Sequence, residues 1–577
     1  MADDRYTNFL VDYDLTDTSA VTDSTPTMTL NADFCTVDDI KTKDEYGSYL
    51  TLEHNFSVLD GSLEEFPDEP SGIPIFTSVK SNSSGYFDEN PVLDLQFSKS
   101  HSSYAMILYF KDDYPLEINI TWYTLKGSIL YSGTYTITGN EFVVPDEIEM
   151  YGRIVVEFVR ALPDRYIKLY YVKYGMVIHW DETNIENASL VMEEDKISNQ
   201  LTTNKLTYTV IDDNNSLNLA NYSGTHRFFQ KSQQLLAYEE LNGEKILLGK
   251  YFMDSFSESA HEGKMSCVSY MGILESIQFI TGQVYTNGTT ARTILTKIFD
   301  TCGIEDYEID GNIASTVVYG ALPPMTCKQA LREVLFATGG IVDTTSSDHI
   351  QIYAPSILVS DTISRNTKIS TKVTRKDYVH SVSISYNKYT VKEESEELIN
   401  ELYPVGIYTV TFDSPYTDLE ISGGTIIAWS NFYVKFQVTE YGTVVINGTG
   451  YDSATLTATT TNTLLTAGET ETTETYSSKL CNGALARTRA NSILKFKQNR
   501  LELQIKQLAQ NTQMDYKHII ENAVEGYDSY IGYYTSRSFD LTGGFVDNSK
   551  LVAYYNDSRK GTLYTGKDLY GGENGIF

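Results

Sequence analysis

The sequence predicts a mainly β protein with a minor α component: two barrel-like β-domains, a small α/β element and a peripheral β-sandwich. Three observations predict it. Tyr is the dominant aromatic, with 44 copies against 24 Phe and 3 Trp, and Tyr, Val and Thr suit pleated, half-buried surfaces. Alternating apolar runs recur at about ten-residue spacing with turn residues between them. Only a few stretches place apolar residues at helical spacing. A chain of 577 residues exceeds one core, and at roughly 100–200 residues per domain it divides into about three to five.

Residues 1–71, rich in Asp, Thr and Ser, predict an extended N-terminal segment of loosely packed strands and exposed turns. Residues 72–174 are densely β. "PVLDLQFS" alternates at Leu93, Leu95 and Phe97, and "YAMILYF", "LEINITWY", "SILYSGTYTIT", "GRIVVEFVRAL" and "YIKLYYVKYG" follow. Six or more strands in about 100 residues predict a β-sandwich, with Phe110 and Trp122 in its core. Residues 175–285 continue in strands, and Asn242-Gly243 between two apolar runs is a strong hairpin signal. A first β-barrel is expected there.

Residues 286–370 supply a helix pair and a hairpin. In "TTARTILTKIFDTCG" Ala291, Ile294, Leu295, Ile298 and Cys302 share one face, with Thr290 as cap and Gly303 as stop. In "TCKQALREVLFATGG" Thr326 and Gln329 form a capping-box pattern and Gly339 ends the helix. "GGIVDTTSSDHIQIYAP" reads as two strands about a turn. Residues 371–508 predict a second barrel with a helix through Ala484, Arg487, Ala490, Leu494 and Lys497. "RLELQIKQL" reads as a strand with one buried face. Residues 509–577 form a C-terminal extension ending in a glycine-rich tail.

Chemistry has little foothold in these residues. The eight histidines are dispersed with no HExxH pattern, and no glycine-rich phosphate cradle precedes a helix. "DDNNSLN" (212–218) lacks the later ligands of a calcium loop and reads as a turn. "EESEEL" (393–398) reads as a solvated helix or loop face. No catalytic, metal-ligating or cofactor-binding residue is nominated, and no enzyme activity is expected. The five cysteines, Cys35, Cys267, Cys302, Cys327 and Cys481, show no CxxC spacing and predict free thiols made in a reducing compartment. The start "MADDRYTNFL" lacks a signal-peptide pattern, and no apolar run reaches membrane-spanning length. A soluble protein without membrane insertion is expected.

The formal net charge is −33. A duplex-binding protein needs a basic footprint, so specific nucleic-acid binding is disfavoured, while an acidic surface lets a polyanion slide past. Against this background Arg487, Arg489, Lys495, Lys497, Arg500 and Lys506 cluster with only Glu502 opposing. They are either a solvated face or an interface to acidic copies and neighbouring subunits. Tyr104, Tyr123 and Tyr131 are the candidates for contact with a glycan.

The succession "KYGMVIHWDETNIENASLVMEEDKISNQLTTNKLTYTVIDDNN", the hairpin "GEKILLGKYFMDSFSE", "SYMGILESIQF", "TARTILTKIFDTCGI" and "PPMTCKQALREVLFATGGIVDTTSSDHIQIY" resemble the hub proteins of phage tail baseplates, as found in phages and prophages of Gram-positive bacteria. The resemblance covers about Tyr174 to Tyr386, and more loosely the chain to Leu508. It implies a structural subunit of the tail tip or baseplate, assembled in the bacterial cytoplasm. Three copies with two related barrels each would form a nearly sixfold ring, matching a hexameric tail tube to a trimeric spike or tip. The partners implied are the tail tube protein, the central spike and the baseplate or distal tail subunits. Three chains at −33 each carry −99, so an acidic lumen along which DNA could slide is expected. The sandwich looks like an added module similar to galactose-binding-like or carbohydrate-binding domains, with a host surface glycan as its partner. The competing expectation is a cell-surface glycan-binding adhesion protein. A polysaccharide-degrading enzyme would instead need a cleft with paired carboxylates.

Overall fold

In the computed structural model, residues 5–41, 49–50, 64–65, 73–110, 114–222, 224–259, 261–345, 347–355, 359–364, 367–462, 472–514, 517–521 and 529–556 are described. Much of "SYLTLEHNFSVLDG" and all of the glycine-rich tail lie outside them. The largest assembly is a 13-stranded sheet. Its strands in chain order are β1 (Thr7–Asp14), β2 (Val177–Trp180), β3 (Ile185–Glu193), β4 (Lys205–Ile211), β5 (Gln234–Leu241), β6 (Glu244–Ser259) and β7 (Glu262–Val268), then β8 (Val359–Ile363), β9 (Lys368–Arg375), β10 (Leu501–Leu508), β11 (Lys517–Glu521), β12 (Ser529–Asp540) and β13 (Val546–Asn556).

The spatial order is β2-β1-β5-β6-β7-β4-β3-β12-β13-β10-β9, with β8 and β11 branching from β12. Strands β1 to β7 thus form one half and β8 to β13 the other. Each half is built by alternation: Phe9, Val11 and Tyr13 on β1, Leu206, Tyr208 and Val210 on β4, Leu503 and Ile505 on β10, Leu551 and Ala553 on β13. These side chains belong to one apolar cluster spanning both halves. Strand β1, expected among loosely packed strands, lies between β2 and β5 with its core face fully covered. At the β5–β6 hairpin Asn242 and Gly243 both have positive φ (53° and 87°), and Leu241 pairs with Glu244, the geometry a two-residue hairpin turn needs.

The α/β element follows its sequence closely. After α1 (Thr18–Asp23), the short helices α2 (Tyr270–Ser276) and α4 (Gly311–Ser315) flank α3 (Ala291–Cys302), which is capped by the Thr290 hydroxyl and ends at Gly303 in the left-handed region; α5 (Cys327–Thr338) has the complete Thr326–Gln329 capping box and ends at Gly339. They share a core with α6 (Gly483–Lys497) and the strand pair Ile341–Asp343 and Ile350–Tyr353. The element meets the first half of the sheet at Gly249, whose φ is +133° and where a Cβ would stand 2.1 Å from the Thr345 carbonyl oxygen.

Between the helices α5 and α6 two long strands, Ser381–Tyr403 and Gly442–Thr461, pair along most of their length. Their base, Val382, Ile384 and Ala458, joins the α/β core, and their far end carries a separate small core of Ile399, Val434, Phe436, Val438, Val444 and Ile446. The result is an arm. Of residues 371–508, the second half of the large sheet takes in β9 and β10, while β11, β12 and β13 come from beyond residue 508. Lys388–Glu397 is exposed on both faces or nearly so, so the acidic run Glu393–Leu398 is strand rather than helix or loop. A stretch of strand solvated on both faces has no apolar alternation to reveal it.

The sandwich has a five-stranded sheet in the order Thr25–Met28, Val92–Ser103, Ile148–Arg160, Glu117–Tyr123, Ile129–Thr136, and a three-stranded sheet in the order Glu141–Val144, Met106–Tyr109, Tyr171–Lys173. Phe110 is 0% and Trp122 2% exposed, inside one core with Leu93, Leu95, Ile120 and Phe158. Its link to the large sheet is α1 (Thr18–Asp23), which directly follows β1. Asp17 caps α1 by accepting from the Ser19 and Ala20 amides. His101 is clamped between Asp17 (Nδ1 to Oδ2, 3.1 Å) and Asp23 (Nε2 to Oδ2, 2.9 Å).

Candidate assembly surfaces

The two halves of the large sheet meet where β3 pairs antiparallel with β12, from Ser189 opposite Asp540 to Glu193 opposite Ser536. The other end of β12 pairs with β11 along the same edge. One strand therefore serves both the second half and the junction. Its register is fixed from inside. Arg537, 2% exposed, donates from Nε and Nη2 to Oδ2 of Asp547 (2.9 and 2.7 Å) and from Nη1 to the Gln513 carbonyl (3.0 Å). Its guanidinium lies 4.3 Å from the Tyr534 ring centre and 4.7 Å from that of Phe539. Asp547 also accepts from Ser549 (2.6 Å) and Gln507 (3.0 Å). A buried ion pair with this many bonds specifies an arrangement more than it adds stability.

Lys196 ties the loop after β3 to the second half, donating to Glu194 and to the Met514 carbonyl (2.7 Å). The same loop reaches the α/β element, with Ser198 donating to the Gly340 carbonyl (2.6 Å) and Arg332 gripping Asn199. Near the junction, Glu239 on β5 is fully buried, and neither carboxylate oxygen has a hydrogen-bond partner. Burial pushes its carboxyl up to about 8, against the pull of Arg5.

The structure divides the cationic cluster. Arg489 is buried, not at a surface: it donates to the Ile197 carbonyl, lies 5.5 Å from the Phe336 ring centre, and is lowered to about 10 by burial. Its position on α6 faces the core, so it cannot meet another subunit. Lys497 pairs with Glu474 (3.0 Å), and Arg500 lies over Tyr378 at 5.3 Å. Arg487, Lys495 and Lys506 are exposed. Lys506 stands on β10 next to β9, an outer strand of the sheet whose Ile369 and Val373 are 56% and 43% exposed.

The three tyrosines do not converge. Tyr104 packs edge-on against Phe228 of the first half (5.5 Å), which covers it from that side. Tyr123 lies under Arg153 (5.3 Å) on the outer face of its sheet. Tyr131 stands opposite core-facing Trp122, ring centres 5.8 Å apart. Asp212, at the head of the turn 212–218, spends its oxygens on the Ser216 and Leu217 amides.

An open cleft of about 670 Å³ is lined by Pro323, Pro324, Met325, Lys328, Arg332 and Lys479. Its Lys328 is held by Glu275 and Thr203 and its Arg332 by Glu333 and Asn199. No group of three metal-ligating side chains occurs among the described residues, nor among them a helix long and apolar enough to cross a membrane. Sequence reading missed Arg537, Asp547, Glu239 and the His101 clamp. The available signal was a charged residue at a core-facing position of an alternating strand, such as Asp547 in phase with Leu551 and Ala553.

No protein-family model matches the chain, and no curated protein matches it. Solved structures do. A tail protein from Neisseria meningitidis is 10% identical, with 65% of this chain and 93% of that one covered and a TM-score of 0.40. A prophage tail protein from Listeria monocytogenes is 10% identical, covering 66% and 92% at 0.36. A 43 kDa prophage tail protein from Shewanella oneidensis is 9% identical, covering 63% and 93% at 0.35.

Proposed function

We propose that the chain is a structural hub subunit of a phage tail or phage-tail-like baseplate. Three copies form a ring that adapts a hexameric tube to a central spike or tip and lines the path of ejected cargo. One observation carries this reading: two strand-built halves of one chain are fused edge to edge through β3 and β12, so three chains supply six such units around an axis. The sequence resemblance of residues 174–386 to baseplate hubs supports it from an independent direction. The role is one of scaffolding. With the large negative charge, the lumen of such a ring repels phosphates and holds no polyanion back.

In this reading the exposed outer strand β9, with Lys372 and Arg375 beside Lys506 of β10, faces a neighbouring acidic copy. A strand that pairs on one side only among the described residues, with few like charges opposite it, is a site suited to a subunit contact. Native mass spectrometry and light scattering of the full chain across a concentration series test the ring: trimers are expected, and Ile369→Asp with Val373→Asp is expected to leave monomers that keep the wild-type circular dichroism. A chain that stays monomeric at every concentration and is absent from the tip of labelled particles overturns it.

A further inference from the structure

The arm ends in an apolar knob. Tyr403 pairs with Gly442 and Gly406 with Val438, which brings residues 402–407 and 438–442 together at its far end. There Leu402, Val405, Ile407 and Tyr441 are 59% to 69% exposed, while the neighbouring Val438 and Val444 are buried in the small core. Large apolar side chains left open together mark a contact surface. Glu401 and Glu440 stand among them, both exposed, and from Asn387 to Thr461 ten carboxylates face three lysines. The knob is therefore apolar within an acidic surround.

Strand β9 offers the complement. Its sequence KISTKVTR holds Lys368, Lys372 and Arg375 and no acid. Lys506 of β10 pairs with Ser370, so it shares a face with Lys372, two residues further along. Val373 lies on the other face, opposite Leu503. Leu503 is fully buried, yet Val373 is 43% and the nearby Ile369 56% exposed. The apolar face of the sheet thus runs one strand beyond its cover, at a strand that pairs on one side only among the described residues.

We propose, resting on the ring of copies proposed above, that the knob of one copy docks on β9 of the next. Leu402, Val405 and Tyr441 cover Ile369 and Val373, while Glu401 and Glu440 meet Lys372 and Lys506. The occupant is a second copy because the two surfaces are opposite in charge, alike in apolar content and present in one sequence. Reach favours it as well. At about 3.3 Å per residue, the strand from Asn387 to Tyr403 carries the knob roughly 50 Å from the α/β core, and Lys388–Glu397 on the way is solvated. A contact between two different patches is heterologous, the kind that closes into a ring when its rotation fits. The open edge of the arm is less suited to the contact: its register breaks between Val391 and Ser395 and again between Glu397 and Ile399, and bulges and charges blunt an edge.

Isotopically heavy and light full chains are diluted together, concentrated, treated with a carbodiimide that joins carboxylates to lysines, and mapped by mass spectrometry. Heavy-to-light cross-links are expected between the peptides of Glu401 or Glu440 and those of Lys372 or Lys506. Lys372→Glu with Lys506→Glu is expected to weaken association about tenfold in native mass spectrometry and light scattering. Glu401→Lys with Glu440→Lys should do the same, and all the substitutions together should restore it, each chain keeping the wild-type circular dichroism. Trimers that hold their affinity in both charge-reversed chains, or whose heavy-to-light cross-links leave out the knob, overturn this contact and leave the ring standing. A combined chain that associates no better than either pair does so too. A chain that is monomeric at every concentration overturns the ring and the contact together.

Discussion

Glu239→Gln isolates what one buried carboxyl does to the core of the large sheet. Glu239 faces inward from β5 opposite Phe9, is fully covered, and has no hydrogen-bond partner for either oxygen. Burial raises its carboxyl from 4.5 to about 8, with Arg5 opposing and Asp540 reinforcing the rise. The folded chain therefore binds this proton more tightly than the unfolded chain does. The stabilisation is complete below pH 4.5, declines as pH rises, and is gone above about pH 8. At about 1.4 kcal/mol per tenfold change, the interval from pH 5 to pH 8 removes at most about 4 kcal/mol. For a unit of this size that is a fall of roughly 10 °C in the unfolding transition of the large sheet. Scanning calorimetry of the wild type and the variant at pH 5 to 9 reads it. The gap between them should widen in the variant's favour from pH 5 to 8 and level off above. A constant offset across that range, whatever its size, refutes the reasoning, because a packing defect alone has no proton to release.

Two further predictions concern buried charge. Arg537→Met leaves Asp547 buried without its cation and should cost about 3–5 kcal/mol, while adding Asp547→Leu should recover most of it; chemical denaturation of the three variants compares them. His101→Leu removes the clamp on α1 and leaves Asp17 short of a partner, at about 1–3 kcal/mol, read as faster hydrogen exchange over Thr18–Asp23. Hydrogen bonds from Ser98 and His101 hold Asp23 well below the usual carboxylate range. Its contribution is present above that range and lost as acid titrates it, so protection of α1 should fade first in acid.

What was legible in the sequence was local. The capping groups of α3 and α5, the stops at Gly303 and Gly339, and the Asn242-Gly243 turn depend on neighbours within a few residues, and each satisfies its backbone groups without distant help. The burial of Phe110 and Trp122 was legible for a similar reason, since alternation alone assigns them to one face. Partner choice was not legible. Strand β1 pairs with β2 and β5, and β3 with β12, yet nothing in "TNFLVDYD" or "IENASLVME" names a mate, because backbone pairing is blind to sequence and only shape and burial select it.

The same limit explains why the cationic cluster came apart. Arg487, Arg489 and Lys495 lie on one helix, but a residue's side of α6 is set by which neighbours arrive from elsewhere in the chain. The Ile197 carbonyl and the Phe336 ring, from the loop after β3 and from α5, enclose Arg489, whereas Arg487 and Lys495 turn outward. Charge by itself could not separate them. Arginine keeps its charge when buried and satisfies its donors from backbone carbonyls, so a core arginine and a surface one look alike in sequence. Of the exposed cations that remain, Arg487 and Lys495 stand on α6, and Lys506 stands on β10 beside β9. The arm, by contrast, offers Glu393, Glu394, Glu396 and Glu397 on a ribbon solvated along both faces. If copies of this chain associate, the charge pattern favours β9 of one copy against acidic surface of the next over arm against arm, where like charges would face each other.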